Sequence, residues 1–260
     1  MRRFLNYHSR AWRRLQMWLD FQRLERPQAR EPVMIIAVST SMPQYRSLYS
    51  QARELGEYML KNMKFDRIAT VRSSCFPPEV LVRGDGISSL PECGFYSGKT
   101  ASGPILFAGD ASPMDDQYGF TEFVLGYAQE LGVKEVYSVG ARWADNPLSP
   151  EVEPEPNGFA SDEAGVEKLR SHGVRILAEE PAPFFASMVV ASAKQRGIRG
   201  YKLSVDHGEP SPHVRGVAKL LETLSGMAGF EIGLEELRSQ YSANQGRQGP
   251  QRPKDPSIYH

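Results

Sequence analysis

The sequence has few cysteines, no long apolar run and no excess of charge, and each shortage excludes a class of protein. Only Cys75 and Cys93 occur among 260 residues, and their spacing fits neither a C-x-x-C redox pair nor a zinc site. We therefore expect a cytoplasmic protein with reduced thiols, and a Cys75–Cys93 disulfide is the minor alternative. No apolar stretch reaches the ~20 residues of a membrane-spanning helix, and the N-terminus lacks the apolar core of a signal peptide. The formal net charge of +0 provides no general attraction for nucleic acid.

Glycine-rich phosphate loops and common catalytic signatures are also missing. The segment after the first predicted strand, Ser39–Pro43, contains no glycine, so it cannot form a G-x-G-x-x-G or Walker-type phosphate cradle. Serine-nucleophile elbows, H-E-x-x-H motifs and kinase signatures do not occur. The sequence therefore predicts no cofactor, no metal ion and no self-sufficient catalytic set.

The clearest positive pattern lies between Gly103 and Gly140. The apolar run Pro104–Gly109 predicts a strand that is buried on both faces. Apolar residues then recur at helical spacing from Tyr118 to Leu131, and Lys134–Val139 predicts a second strand. A strand, a helix and a strand in this order form a βαβ unit, which implies parallel strands joined by a right-handed crossover.

The remaining chain supplies more elements of both kinds. Strands are predicted at Val33–Val38, Arg67–Val71, Glu79–Arg83, Glu92–Tyr96, Val174–Ala178 and Tyr201–Val205. Helices are predicted at Tyr45–Leu60, Ser161–His172, Phe184–Arg196, His213–Met227 and Leu234–Tyr241. Strands with little helix between them accumulate between residues 67 and 96, which indicates an antiparallel extension of the sheet. The sequence thus predicts an α/β fold with a mostly parallel central sheet.

Both ends of the chain differ from this α/β part, so the predicted domains are residues 1–32, 33–241 and 242–260. The first segment is rich in arginine, and Ser9–Leu24 can form a helix. That arm can pack on the body or on a neighbouring subunit, lie on an anionic membrane surface or partner, or act as a targeting segment. The last segment is polar and rich in proline and glycine, and we expect it to be flexible.

Two groups of residues in the α/β part are candidates for chemistry. Asp110 follows the strand of the βαβ unit, and Asp206 and His207 follow the last strand, which is the edge where such sheets bind ligands. A carboxylate site or a general base could form there. Helix capping is the favoured alternative for Asp110 together with Asp115 and Asp116, and a simple turn is favoured for Asp206-His207.

The chain ends in Ile258-Tyr259-His260, at the tip of the polar segment. A terminal carboxylate can be captured by a cation and backbone donors of another protein. The tyrosine before it supplies a rigid ring and a hydroxyl group, and the isoleucine supplies an apolar anchor. The tripeptide is therefore a candidate docking motif.

The chain resembles the PAC2 family, the proteasome assembly chaperones and their archaeal and bacterial homologues, over about Val33 to Tyr241. The segments that carry this resemblance are Phe76–Arg83, Gly109–Tyr118, Glu130–Val136 and Gly197–Gly200. The resemblance implies a three-layer, nucleoside-phosphorylase-like α/β sandwich and a homo-oligomer. Some archaeal members carry a C-terminal hydrophobic-Tyr-any motif that inserts between α-subunits of the 20S proteasome, and Ile258-Tyr259-His260 matches this motif residue by residue.

Two functional hypotheses follow from these observations. The first is a non-catalytic proteasome-binding protein, either an assembly chaperone or an ATP-independent activator, with 20S α-subunits and its own copies as partners. The second is a phosphorylase-like or nucleotide-dependent enzyme with Asp110, Asp206 and His207 around a pocket, since some family members have been assigned to the ATP-grasp enzymes by similarity. A plain oligomeric scaffold is a third possibility. We expect neither nucleic acid nor a membrane span in any of these roles.

Overall fold

The structure is a computed structural model that describes residues 17–25, 31–38, 50–100, 103–109, 111–143, 153–179, 182–207 and 213–239. The strands are β1 (Leu19–Arg23), β2 (Val33–Val38), β3 (Phe65–Ser73), β4 (Leu81–Val82), β5 (Ser88–Ser89), β6 (Cys93–Gly98), β7 (Ile105–Gly109), β8 (Glu135–Trp143), β9 (Pro156–Ala160), β10 (Arg175–Ile176) and β11 (Arg199–His207). The helices are α1 (Ser50–Asn62), α2 (Gln117–Glu130), α3 (Glu163–Ser171), α4 (Phe185–Ala193) and α5 (His213–Ala228).

Nine of these strands form one sheet in the order β1-β3-β6-β7-β2-β8-β11-β9-β10. Strand β2 pairs in parallel with β7 and β8, and β8 pairs in parallel with β11. Strands β7, β6, β3 and β1 pair antiparallel in succession. The predicted antiparallel extension is therefore confirmed. The two strands of the predicted βαβ unit, β7 and β8, are parallel but flank β2 instead of each other.

Two apolar cores, one on each face of the sheet, define three layers. Along β2 the side chains alternate between them: Ile35 belongs to the core with α1, α3 and α5, whereas Met34 and Ile36 belong to the core with α2 and α4. Since β2 is covered on both faces, it needs the unbroken apolar run that the sequence has there. The predicted three-layer α/β architecture is confirmed.

The predicted helix over Ser9–Leu24 is wrong for its final part, because Leu19–Arg23 form the edge strand β1. The ring of Phe21 packs edge-on against the rings of Phe123 and Tyr127, at centroid distances of 5.0 and 4.9 Å. The open edge of β3 offers backbone partners that outweigh helix propensity, because strand pairing and ring packing act together here. The earlier part of the arm lies outside the described residues, and the domain limits at residues 32 and 241 stay predictions.

The segment before α3 contains a strand that the sequence did not predict. Strand β9 pairs antiparallel with β11, although its sequence, Pro-Asn-Gly-Phe-Ala, lacks an apolar alternation. A Cβ atom on Gly158 would lie 1.9 Å from the Lys202 carbonyl oxygen, so glycine is what permits this close pairing. Cys75 and Cys93 are both buried and neither forms a disulfide, as expected. No helix in the described part of the chain is long and apolar enough to cross a membrane.

Candidate functional site

The parallel strands β2, β7, β8 and β11 all end at one edge of the sheet, which we call the carboxyl edge. Asp110 comes directly after β7, but it lies outside the described residues, as do Ile258, Tyr259 and His260. His207 ends β11, and its side chain is also outside the described part. Of the residues predicted to take part in chemistry or docking, only Asp206 can be placed in full.

Asp206 is the centre of an ion-pair cluster. Its Oδ1 atom accepts hydrogen bonds from Nη1 of Arg142 at 3.1 Å and from Nδ2 of Asn157 at 2.7 Å. Its Oδ2 atom accepts from Nη2 of Arg175 at 2.9 Å. These partners lie on three further strands, β8, β9 and β10, so Asp206 ties the carboxyl edge together. Three donors from three strands favour an ion-pair role for this carboxylate.

Asp116 acts as the predicted helix cap. Its Oδ1 atom accepts a hydrogen bond from the backbone N–H of Gly119 at 3.1 Å, at the first turn of α2. Asp116 itself has a φ of 36°, a left-handed conformation that aspartate tolerates better than most residues. The capping interpretation is therefore confirmed for Asp116.

A polar strip, which the sequence analysis missed, runs along β11 beneath α4; it is buried at its first two residues and half-buried at the third. It consists of Lys202, Ser204 and Asp206, which alternate with the apolar residues Tyr201, Leu203 and Val205. Helix α4 packs across both β8 and β11. The available signal was the polar residue at every second position, since such residues point to one face of a strand.

Near the carboxyl edge, the side chains of the strip are joined by hydrogen bonds through Asn157. The hydroxyl of Ser204 donates to Oδ1 of Asn157 at 2.6 Å, and the amide of Asn157 donates in turn to Asp206. Asn157 is fully buried, so these bonds satisfy groups that would otherwise be costly to bury. Oδ1 of Asn157 thus accepts from Ser204, Oδ1 of Asp206 accepts from Asn157 and Arg142, and Oδ2 of Asp206 accepts from Arg175.

Lys202 lies at the inner end of the strip and is only 9% exposed. Its Nζ atom has no hydrogen-bond or ion-pair partner within the described ranges, and burial lowers the pKa of this amine to about 8. The opposite residue on β8 is Ser138, which is fully buried and whose hydroxyl has no partner in the same part of the chain. A Cβ atom on Gly140 would lie 3.0 Å from the Lys202 Nζ atom. The ammonium group therefore extends over Gly140, toward the carboxyl edge.

The opposite edge of the sheet, the amino edge, carries a second buried cluster around Glu135. This carboxylate accepts hydrogen bonds from the hydroxyls of Tyr137 at 2.7 Å and Tyr201 at 3.0 Å, and from Lys168 at 2.8 Å. Burial alone would raise the pKa of Glu135, but these three donors outweigh it and lower the pKa. Burial and the neighbouring carboxylate raise the pKa of both tyrosines. Every member has a partner, which favours a structural role.

A cleft of about 310 Å³ lies beside α1 and strands β2, β6 and β7. Its charged side chains pair with each other: Nε of Arg53 lies 2.7 Å from Oε1 of Glu57, and Arg67 pairs with Glu92. Because the charges on its walls are already neutralised in this way, the cleft offers a ligand little electrostatic attraction.

The last described segment, residues 229–239, packs near the amino edge. The hydroxyl of Tyr58 donates to the Gly233 carbonyl at 2.7 Å, and Lys61 pairs with Glu236 at 2.5 Å. Tyr58 and Lys61 lie in the second half of α1. This helix runs from the carboxyl edge to the start of β3. The chain thus leaves the described body at the end opposite to Asp206 and Lys202.

The architecture is similar to that of several solved structures of other proteins. The structure is similar to that of Pyrococcus furiosus PbaB, described as an archaeal proteasome activator, with a TM-score of 0.74 and 20% identity over 88% of this chain and 96% of that one. It is also similar to Pyrococcus furiosus PbaA, an archaeal homolog of proteasome-assembly chaperone, with a TM-score of 0.69 and 20% identity over 88% and 89%. A proteasome-assembly chaperone homologue from Mycobacterium tuberculosis gives 0.68 and 16% over 82% and 93%. At these identities the likeness establishes the shared fold.

No curated protein matches the sequence. The family model described as "PAC2 family" matches residues 52–246, which is most of the chain. This match and the three-layer fold agree with the resemblance found in the sequence. The chain belongs to the PAC2 family.

Proposed function

We propose that the protein is a non-catalytic, cytoplasmic proteasome-binding protein, an assembly chaperone or ATP-independent activator, that docks Ile258-Tyr259-His260 into pockets between 20S α-subunits. Two similar structures belong to proteins described as an archaeal proteasome activator and a homolog of proteasome-assembly chaperone, which supports a proteasome-related role. The observation that carries the proposal is the hydrophobic-Tyr-any tripeptide at the end of a PAC2-family chain.

The three residues have separate roles in the proposed docking. The side chain of Ile258 fills an apolar niche, and the ring of Tyr259 packs while its hydroxyl makes a hydrogen bond. The carboxylate of His260 pairs with a cation in the pocket. A polar tether of about sixteen residues would span roughly 20–24 Å as a flexible coil. That reach allows the tripeptide to enter a pocket on a separate particle.

Self-association would strengthen this docking. An oligomer presents several tails at once, and each tail that binds raises the effective concentration of the others near their pockets. A single tripeptide of modest affinity can then hold the whole assembly on a ring of α-subunits. The proposal therefore includes a homo-oligomer in which the α/β bodies associate and the tails remain available.

Deletion of residues 258–260 tests the proposal. The full-length protein is expected to retain the 20S proteasome of its source organism in a pull-down, and the shortened protein is expected to lose it while keeping its oligomeric state by light scattering. A matched control removes Asn244, Gln245 and Gly246, which shortens the tail equally but keeps its end. Equal retention of 20S by both shortened proteins would refute the role of the tripeptide.

A further inference from the structure

The side chain of Lys202, only 9% exposed, requires an explanation that the proposed docking does not supply. Moving a charged amine out of water is costly unless an anion or hydrogen-bond acceptors replace the lost water. Lys202 is more than nine-tenths buried, yet no acceptor within the described ranges contacts its Nζ atom. The last described residues before the tail, 229–239, pack near the amino edge, and the proposed docking gives this lysine no role.

The groups around Lys202 have a surplus of hydrogen-bond donors. Ser138, directly opposite on β8, has a buried hydroxyl without a partner in the described part of the chain. The nearest acceptors along the strip are engaged elsewhere: Oδ1 of Asn157 accepts from Ser204, and both oxygens of Asp206 accept from their own donors. A ligand that brings acceptor atoms would give both Lys202 and Ser138 a partner.

The charged side chains around Lys202 also favour the binding of an anion. Among the described residues of the strip and its ion-pair partners, Lys202, Arg142 and Arg175 carry three positive charges and Asp206 carries one negative charge. Such a surplus attracts anions to a site of low dielectric constant. The strip runs toward the carboxyl edge, which is where open α/β sheets bind their ligands.

The absence of a side chain at Gly140 leaves room for the Lys202 ammonium group. Its Cα lies beneath Nζ, and a methyl group there would come within 3.0 Å of that atom. At Gly200, further down β11, the backbone of α4 presses on the strand, since a Cβ atom would lie 2.4 Å from the Val190 carbonyl oxygen. The helix and sheet are thus in tight contact below Lys202, and the Lys202 side chain extends from that contact toward the edge.

We propose that Lys202 and Ser138, at Gly140 between α4 and strands β8 and β11, bind a compact oxyanion, the phosphate or carboxylate group of a small ligand. The Lys202 ammonium supplies charge and up to three donors, and the Ser138 hydroxyl supplies one more. Arg142 and Arg175 attract the anion to the carboxyl edge while they remain paired with Asp206.

The test uses the full chain labelled with ¹³C-lysine and follows the Lys202 side-chain resonance by NMR over a pH series. Sodium phosphate, sodium acetate and sodium chloride are compared at equal ionic strength. Because a bound anion favours the charged amine, phosphate or acetate is expected to raise the pKa of Lys202 by about one pH unit or more relative to chloride. A response to phosphate alone assigns a phosphate-bearing ligand, and a response to acetate alone assigns a carboxylate. Identical titrations in all three salts would overturn the proposal.

Variants separate this site from surface binding of ions. Lys202→Met and Gly140→Ala are expected to lose the saturable binding of the effective anion by calorimetry, whereas Lys64→Met, which removes an exposed lysine and the same charge, keeps it. Equal binding by Lys202→Met and the unaltered protein would mean an adventitious ion only and would refute the site. The NMR titration of the unaltered protein decides the matter even if a variant fails to fold. Lys202→Met is expected to retain 20S as the unaltered protein does, so this proposal and the docking proposal can fail separately.

Discussion

The rings of Tyr137 and Tyr201 stack face to face, with their centroids 4.6 Å apart and their planes 9° from parallel. Both hydroxyls donate to the same carboxylate, that of Glu135. Lys168 completes the cluster by donating to Glu135 and to the hydroxyl of Tyr137 at 2.8 Å each. The stack therefore joins β8, β11 and α3 at the amino edge, and each polar group of the cluster has a partner within it.

Replacing Glu135 with alanine is expected to lower the free energy of unfolding by about 2–4 kcal/mol, because Lys168 and two buried hydroxyls lose their common acceptor. Since the folded protein lowers the pKa of this group, its contribution is present above the unfolded pKa of about 4.3. The contribution is lost as the pH falls through the lower folded pKa. Urea unfolding between pH 3 and 7 measures this.

The control for that experiment is Glu57→Ala, which removes an exposed i,i+4 partner of Arg53. We expect a change of no more than about 0.5 kcal/mol for this exposed pair. If Glu135→Ala were no more destabilising than Glu57→Ala, the cluster would have no structural role.

Burial of the Lys202 side chain is expected to make the free energy of unfolding depend on pH in the alkaline range. Its pKa is about 8 in the folded protein against 10.5 for the free side chain. Between these values the unfolded chain binds more protons, so the free energy of unfolding rises with pH by about 3 kcal/mol across the window. Chemical unfolding at pH 7.5, 8.5 and 9.5 is expected to show this rise in the unaltered protein and in Lys64→Met. A comparable rise in Lys202→Met would show that another group causes it.

Asp206 is expected to stabilise the carboxyl edge through its three donors. Asp206→Asn keeps the shape of the side chain but removes the charge that pairs with Arg142 and Arg175. We expect a loss of about 1–3 kcal/mol in the free energy of unfolding. Asp85→Asn, which affects an exposed pair with Arg83, is expected to change it by less than about 0.5 kcal/mol. Equal effects of the two substitutions would contradict the assignment of Asp206 as an ion-pair centre.

The packing of Phe21 on strand β1 leads to a prediction about the N-terminal arm. Phe21→Ala removes a ring that contacts Phe123 and Tyr127, and we expect a loss of about 1–3 kcal/mol. Leu24→Ala alters an exposed side chain just beyond the strand and is expected to have little effect. Thermal unfolding of both variants measures the difference, and no difference would mean that the arm does not add to the sheet in solution.

The elements that the sequence predicted well are those whose local pattern and final environment agree. The apolar run Val33–Val38 became the central strand β2 at its predicted limits, because burial on both faces requires what the sequence displays. Strands β1 and β9 could not be predicted in this way. Each depends on the edge of a strand that is distant in the chain, β3 in one case and β11 in the other, and local propensity contains no information about that edge.

The candidate site was predicted only in part for a related reason. Asp206 was found because it follows the predicted strand Tyr201–Val205, although β11 extends to include it. Its arginine and asparagine partners come from β8, β9 and β10. Only the folded sheet brings these residues together. Lys202 was overlooked because one lysine inside an apolar strand was treated as part of the strand. The alternation of Lys202, Ser204 and Asp206 could have revealed a polar face.

The central claim is that Tyr259 enters a pocket of the 20S proteasome, and the equilibrium affinity of the full-length protein for 20S tests it most directly. Tyr259→Ala is compared with Tyr118→Ala, which truncates a tyrosine that is 75% exposed on α2. We predict that Tyr259→Ala weakens binding at least about tenfold, as truncation of a buried aromatic anchor does, and that Tyr118→Ala leaves the affinity unchanged. Equal affinities for Tyr259→Ala and the unaltered protein would contradict the account.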